Sequence, residues 1–215
     1  MTDITIEQNH QVENHITSTG LSSRKLLMWT FLGSDVMFFG AFIATYLVYR
    51  GKSLVGPYPN EILNIPVTSV STFVLLMSSF AMVLALHYVK EGKKSLGSFW
   101  IWSVVVLGAI FLGFQVVEFT EFALHGLTPR TNLFGTTFFI LTGLHGGHVT
   151  IGVIWLIFMG VAHKKNALRP DNAEDLEIAG LYWHFVDIVW IVIFTVIYLI
   201  SASDGAPVTV PHLGH

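Results

Sequence analysis

Apolar positions gather into five long stretches, at about 26–49, 65–89, 96–119, 133–163 and 178–201. Each exceeds the roughly 20 residues that a helix needs to cross a ~30 Å hydrocarbon core. The pattern predicts an all-α integral membrane protein of five transmembrane helices. The membrane domain is expected at 24–203, between a polar N-terminal tail, 1–23, and a polar C-terminal tail, 204–215. The connections carry turn residues and charge. Residues 51–60 include Pro57 and Pro59, and Lys90-Glu91-Gly92-Lys93-Lys94 makes a short charged turn. Residues 125–130 include Gly126 and Pro129, and 164–177 is the longest charged loop.

Basic residues orient the bundle. With five spans, one side holds Arg24, Lys25, Lys90, Lys93, Lys94, Lys164, Lys165 and Arg169. The other holds Arg50, Lys52 and Arg130. The excess of Lys and Arg on cytoplasmic flanks then places the N-terminus inside and the C-terminus outside.

A few polar groups interrupt the apolar runs. Asp35 lies in the first stretch, and Gln115 and Glu118 end the third. His145 and His148 sit in the fourth, and His184 and Asp187 in the fifth. At 1.5 Å per residue, Asp35 and Asp187 fall roughly 13 Å from the cytoplasmic edge, His184 about 9 Å, and His145 and His148 about 15–25 Å. A charged side chain at mid-depth costs ~2.5–3.5 kcal/mol, so these groups are expected to face the bundle interior or a partner. Gln115, Glu118 and Glu121 recur every third residue and are expected on one face. Gly143 with Gly147, and Gly40 with Ala44, have the spacing that lets helix backbones approach closely.

Composition strengthens the membrane assignment. Only 12% of the 215 residues are charged, 53% are hydrophobic, and mean hydropathy is +0.64. Soluble domains carry about 25% charged residues, so this chain could not cover a soluble surface. The absence of cysteine excludes disulfides, thiolate metal sites and a Cys nucleophile. A net charge of −3 offers nothing to nucleic acid. Residues 1–23 lack a basic-then-apolar signal pattern, so the first apolar stretch is expected to be retained.

For the buried histidines, hydrogen bonding between helices competes with metal ligation. Di-iron carboxylate bundles need paired Glu-x-x-His motifs, and none occurs here. There is no Gly-x-Ser-x-Gly elbow, phosphate-cradling loop or dinucleotide fingerprint. Asp35 suits either a structural hydrogen bond or a proton-linked role. Glu118 and Glu121 suit a solvated interfacial face. His10, His15, His212 and His215 read as solvated tail residues.

Four segments together carry a resemblance. They are Phe31-Leu32-Gly33-Ser34-Asp35-Val36-Met37-Phe38-Phe39; Gln115-Val116-Val117-Glu118-Phe119-Thr120-Glu121; Gly135-Thr136-Thr137-Phe138-Phe139 with Thr142-Gly143-Leu144-His145-Gly146-Gly147-His148-Val149; and Tyr182-Trp183-His184-Phe185-Val186-Asp187-Ile188-Val189-Trp190. In order and spacing the chain resembles subunit III of the haem-copper terminal oxidases, in its five-helix bacterial form. The resemblance implies a multi-pass plasma-membrane subunit with no redox centre of its own, the haems and copper lying on partner subunits. It implies a lipid-filled cleft between helices one and two and helices three to five. It implies bound phospholipid, contact chiefly with subunit I and also with subunit II and other oxidase subunits, and a place in aerobic electron transport coupled to proton translocation, with a respiratory supercomplex as a further setting.

Position by position, Asp35 stands at the family's buried carboxylate near subunit I, known for carbodiimide reactivity, where many members have Glu. Glu118, His145, His148 and His184 stand at positions about the cleft and its lipid contacts. Asp187 and Trp190 stand in the fifth-helix motif, with packing and hydrogen-bonding roles. Cytochrome c and quinol both serve as donors in such oxidases, and general frequency favours cytochrome c. An accessory protein of nitric-oxide reductase shares the same motifs, and a stand-alone membrane metalloenzyme using the histidines and carboxylates is the reading from another class.

Overall fold

A computed structural model describes residues 22–50, 64–165, 168 and 172–200. Five helices account for nearly all of them: α1 (Ser23–Tyr49), α2 (Ile65–Lys90), α3 (Lys94–Leu124), α4 (Leu133–Lys164) and α5 (Glu174–Phe194), the last continuing as a π-helical turn over Thr195–Ile200. Each is long and apolar enough to cross a membrane. At 26–32 residues, α1 to α4 are about 40–48 Å long, so they tilt in the bilayer or project beyond its core. The tails lie outside the described residues, apart from Ser22 and Ser23, as do 51–63 of the first connection.

Local chemistry sets the helix starts. The side chains of Ser22, Asn64 and Asn132 accept from the backbone N–H three residues on, at Lys25, Val67 and Gly135. Pro66 sits in the first turn of α2, where its missing N–H costs nothing. Gly92 and Gly126 take positive φ (73° and 83°) in the turns after α2 and α3, a conformation that favours glycine. Between α2 and α3 the Lys93 ammonium bonds to Glu91 and holds that carboxyl below its ordinary value.

The observed helices outrun the apolar stretches. α5 begins four residues before 178, because Glu174, Asp175 and Glu177 form its first turn. Acidic residues there complement the positive end of the helix dipole. α3 likewise runs past 119 to Leu124, carrying Glu121 inside the helix.

The most extensive packing is α2 along α3. α3 also packs on α4, while α5 touches α1, α2 and α4. Half of α5's membrane window is buried, against 22% for α1, so α5 is the axis of the bundle and α1 its most peripheral helix. This pairing does not divide α1 and α2 from α3 to α5, as the expected cleft would require. α2 joins α3 and α5, and α1 joins α4 and α5 separately.

Close approach falls at glycines other than the two pairs picked out by spacing. A Cβ on Gly40, Gly143 or Gly147 would meet nothing within 4 Å. At Gly108 of α3 and Gly152 of α4 it would lie 2.7 and 2.9 Å from ring carbons of Trp183, and at Gly146 2.6 Å from Gln115 Oε1. Spacing alone could not choose between Gly146 and Gly147. They lie 100° apart around the helix, and only one points inward.

Ion pairs fasten one end of the bundle. Glu177 of α5 accepts from Lys25 of α1 (2.9 Å) and Lys90 of α2 (3.1 Å), and Asp175 pairs with Arg24 (2.8 Å). Ser22 donates to Glu174 beside them. Such partly exposed pairs contribute no more than ~1 kcal/mol each and are screened by salt. Glu177→Gln should therefore lower the melting temperature by only a few degrees. It should also flatten the dependence of that temperature on added salt, and identical salt dependence in the two proteins would rule the fastening out.

Candidate functional site

The polar groups singled out in the sequence form three clusters between helices. None of the three faces outward as a whole.

The first joins α1 to α4. Asp35, 8% exposed, places Oδ2 3.6 Å from His148 Nε2, close enough for an ion pair when the ring is protonated. His148 Nδ1 lies 2.8 Å from Leu144 O, and its ring meets Phe39 edge-on at 5.0 Å. Tyr182 of α5 donates to the backbone carbonyl of His148 (2.9 Å), tying the third helix in.

The second cluster lies where α3, α4 and α5 meet. His145 is fully buried, with Nε2 3.2 Å from Val186 O and its ring 4.8 Å from that of Trp190. Gln115 donates from Nε2 to Thr142 O (2.8 Å). His145 and His148 thus serve different neighbours, α3 with α5 and α1, although they are three residues apart. A step of three residues turns about 300°, so such residues drift by 60° and do not share one line. The same drift turns Gln115 away from Glu118 and Glu121, which border one concavity. Gln115 is buried against α4, Glu118 is half-buried toward α2 and α5, and Glu121 is exposed.

The third cluster is a seam of α2 hydroxyls against α5 rings. Trp190 Nε1 donates to Thr72 Oγ1 (3.0 Å), Trp183 Nε1 to Ser78 Oγ (3.0 Å), and Ser79 Oγ lies 2.6 Å from His184 Nδ1. Asp187, 3% exposed, is buried beside Ser79 in the same seam. At one end of the seam Glu118 Oε1 accepts from Thr68 (2.8 Å) and Tyr198 (2.9 Å), joining α3 to α2 and α5. Sequence reading missed Thr68, Thr72, Ser78 and Ser79. Uncharged hydroxyls cost little in an apolar run, where each can bond back to its own helix, as Thr72 does to Thr68 O and Ser78 to Leu75 O. They therefore leave no break in the pattern.

Chemically these arrangements join helices. Among the described residues no three His, Asp or Glu side chains converge as a metal site. Interhelical hydrogen bonds inside a bilayer average ~0.6 kcal/mol and reach ~1.7, so together these contacts specify the packing more than any one of them stabilises it.

Comparison with known proteins agrees with the motifs. The family model for cytochrome c oxidase subunit III matches residues 1–202. The chain is 38% identical over 178 residues to the probable quinol oxidase subunit 3 of Staphylococcus haemolyticus (strain JCSC1435), covering 82% of this chain and 89% of that one. It is 37% identical, with the same coverage, to the proteins of that name in Staphylococcus aureus strains USA300 and N315. A subunit of this kind carries no redox centre and implies partner oxidase subunits. Five spans and this kinship make it a multi-pass protein of the bacterial plasma membrane. By four motifs in order and a family match over nearly its whole length, the chain, with its five membrane-spanning helices, belongs to the cytochrome c oxidase subunit III family of the haem-copper oxidases.

Proposed function

We propose that this chain is the non-catalytic subunit III of a proton-pumping respiratory oxidase whose electron donor is quinol. Relatives similar over most of the chain are named quinol oxidase subunit 3, and this outweighs the general frequency that favours cytochrome c. The observation that carries the supporting role is the engagement of Asp35, Glu118, His145, His148 and His184 with other helices of the same chain. Side chains committed in this way hold a scaffold in register. Subunit I is the main partner, and every helix offers large apolar side chains that point away from the bundle, such as Leu27 and Met37 of α1, Phe73 of α2, Leu124 of α3, Phe158 of α4 and Ile188 of α5. Phospholipid fills the grooves that remain, and the N-terminus lies in the cytoplasm.

Gentle detergent extraction tests the reading. The chain should co-purify with haem-bearing subunits, and the complex should consume dioxygen with a soluble quinol and not with reduced cytochrome c. A complex that oxidises only cytochrome c would overturn the donor, and purification free of haem proteins would overturn the role.

Asp35 supports proton delivery to subunit I, buried as it is beneath the α1 face. Asp35→Asn keeps the shape and removes the charge opposite His148. The variant complex should assemble in normal yield and inactivate severalfold sooner during continuous turnover. Equal numbers of turnovers before inactivation would remove Asp35 from that role.

A further inference from the structure

Asp187 of α5 lies deep in the seam against α2, 3% exposed and beside Ser79. No salt bridge neutralises its carboxyl among the described residues. A bare charge at that depth costs ~2.5–3.5 kcal/mol, so the group needs a proton and a way to obtain one. Ser79 leads out of the seam. Its Oγ is 2.6 Å from Nδ1 of His184, one turn before Asp187 on α5. Among the described residues nothing bonds to the other ring nitrogen, Nε2.

His184 lines a cavity of about 120 Å³ between α2 and α5, walled by Met82, Leu86 and Leu181. Glu177 of the first turn of α5 also borders it, with Lys25 of α1 and Lys90 of α2 on its carboxylate. At about 30 Å³ per molecule the space holds up to roughly four waters, and the carboxylate and the imidazole give them polar partners. From Glu177 to Asp187 the helix rises about 15 Å. A series of polar groups, Glu177, His184, Ser79 and Asp187, therefore leads from the ion-paired end of the bundle toward mid-membrane.

We propose that Asp187 is a proton-exchanging site, served from that end through the cavity, His184 and Ser79. A hydronium in the cavity gives its proton to Nε2 of His184 and becomes water. The Nδ1 proton passes to Ser79 Oγ, whose own hydroxyl proton passes to the Asp187 carboxylate. Emptying the site runs the same steps in reverse. The site is separate from Asp35, which faces His148 between α1 and α4. It goes beyond the supporting role, and it depends neither on the electron donor nor on where subunit I docks. The proposed orientation of the termini makes the cytoplasm its source of protons.

The test is hydrogen–deuterium exchange at the Asp187 carboxyl in the intact complex, followed by infrared spectroscopy. The C=O stretch of a protonated carboxyl shifts when its hydrogen is replaced by deuterium. The band lost in Asp187→Asn is that of Asp187, and Asp187→Glu, which displaces the band, assigns it if the first variant does not assemble. After transfer to heavy water, Ser79→Ala should slow the shift of this band at least about tenfold, because the positioned hydroxyl that passes the proton is gone. His184→Phe should slow it as much. Ser79→Thr keeps a hydroxyl and should exchange within about twofold of the unsubstituted complex. Haem absorbance and subunit stoichiometry establish that each complex is assembled, and the Ser79 variants carry the test if His184→Phe does not assemble. A Ser79 that only ties helices together would, on becoming alanine, loosen the seam and speed the exchange. That result, an unchanged rate in Ser79→Ala, or the absence of any protonated-carboxyl band belonging to Asp187 would each overturn the proposal.

Discussion

Gly152→Leu is expected to keep the five helices from closing, with little assembled protein recovered from the membrane. Trp183 of α5 is the reason. Its indole N–H is fixed on Ser78 of α2, while its ring carbons lie against Gly108 of α3 and Gly152 of α4. One side chain therefore touches three neighbouring helices, and it is 1% exposed. A Cβ at Gly152 would stand 2.9 Å from two ring carbons, and at Gly108 2.7 Å from another, with Val153 at 2.9 Å beyond. The ring cannot swing aside without losing Ser78, so the helices must part. Overpacking a core costs about 1–3 kcal/mol even when the added volume is small, and leucine adds far more than the space holds. Gly108→Ala and Gly152→Ala should each lower the melting temperature clearly. Gly143→Ala and Gly147→Ala, whose added methyl meets open space within the chain, should leave it unchanged or raise it, because alanine is the better helix former by up to ~1 kcal/mol. Equal behaviour of the two pairs in thermal unfolding of the extracted protein would dismiss Trp183 as the wedge that sets the helix spacing.

Glu118→Ala should give the other large loss, about 1–3 kcal/mol. Its Oε1 accepts from Thr68 on α2 and Tyr198 on α5, so one carboxyl joins three helices. Removing it deletes two interhelical bonds and leaves the hydroxyl of Tyr198, a fully buried residue, without this acceptor. Glu118→Gln retains an acceptor oxygen and should recover at least half of the loss. A double-mutant cycle with Tyr198→Phe measures the coupling directly. If Glu118→Ala and Tyr198→Phe add without coupling in denaturation of the extracted protein, the junction has no cooperative role.

Much of the candidate site was legible because charge in an apolar run is conspicuous. Asp35, Glu118, His145, His148, His184 and Asp187 each break a hydrophobic stretch, and all of them are buried or half-buried between helices. Their partners were not legible. Val186 O and Leu144 O are backbone groups that every residue carries, and Thr68, Thr72, Ser78 and Ser79 look like ordinary tolerated hydroxyls. The grouping of Gln115, Glu118 and Glu121 on one face held only in part, since Glu118 and Glu121 border one concavity beside α2 while Gln115 turns to α4. A spacing of three is close to a helical turn but not equal to it, and the residual 60° per step turns neighbours toward different helices.

The sequence by itself determined five spans, their order and approximate limits, and the family, since the cost of exposing polar groups to hydrocarbon acts on each segment separately. Only the tertiary structure decided that α5 is the axis, that α2 lies on α3 while α1 lies on α4 and α5, and that Gly108 and Gly152 receive Trp183. Lipid tails are as apolar as the helices, so hydrophobicity does not say which helix meets which. That choice belongs to side-chain shape and to hydrogen bonds between residues as distant in sequence as Thr72 and Trp190, which no local pattern encodes.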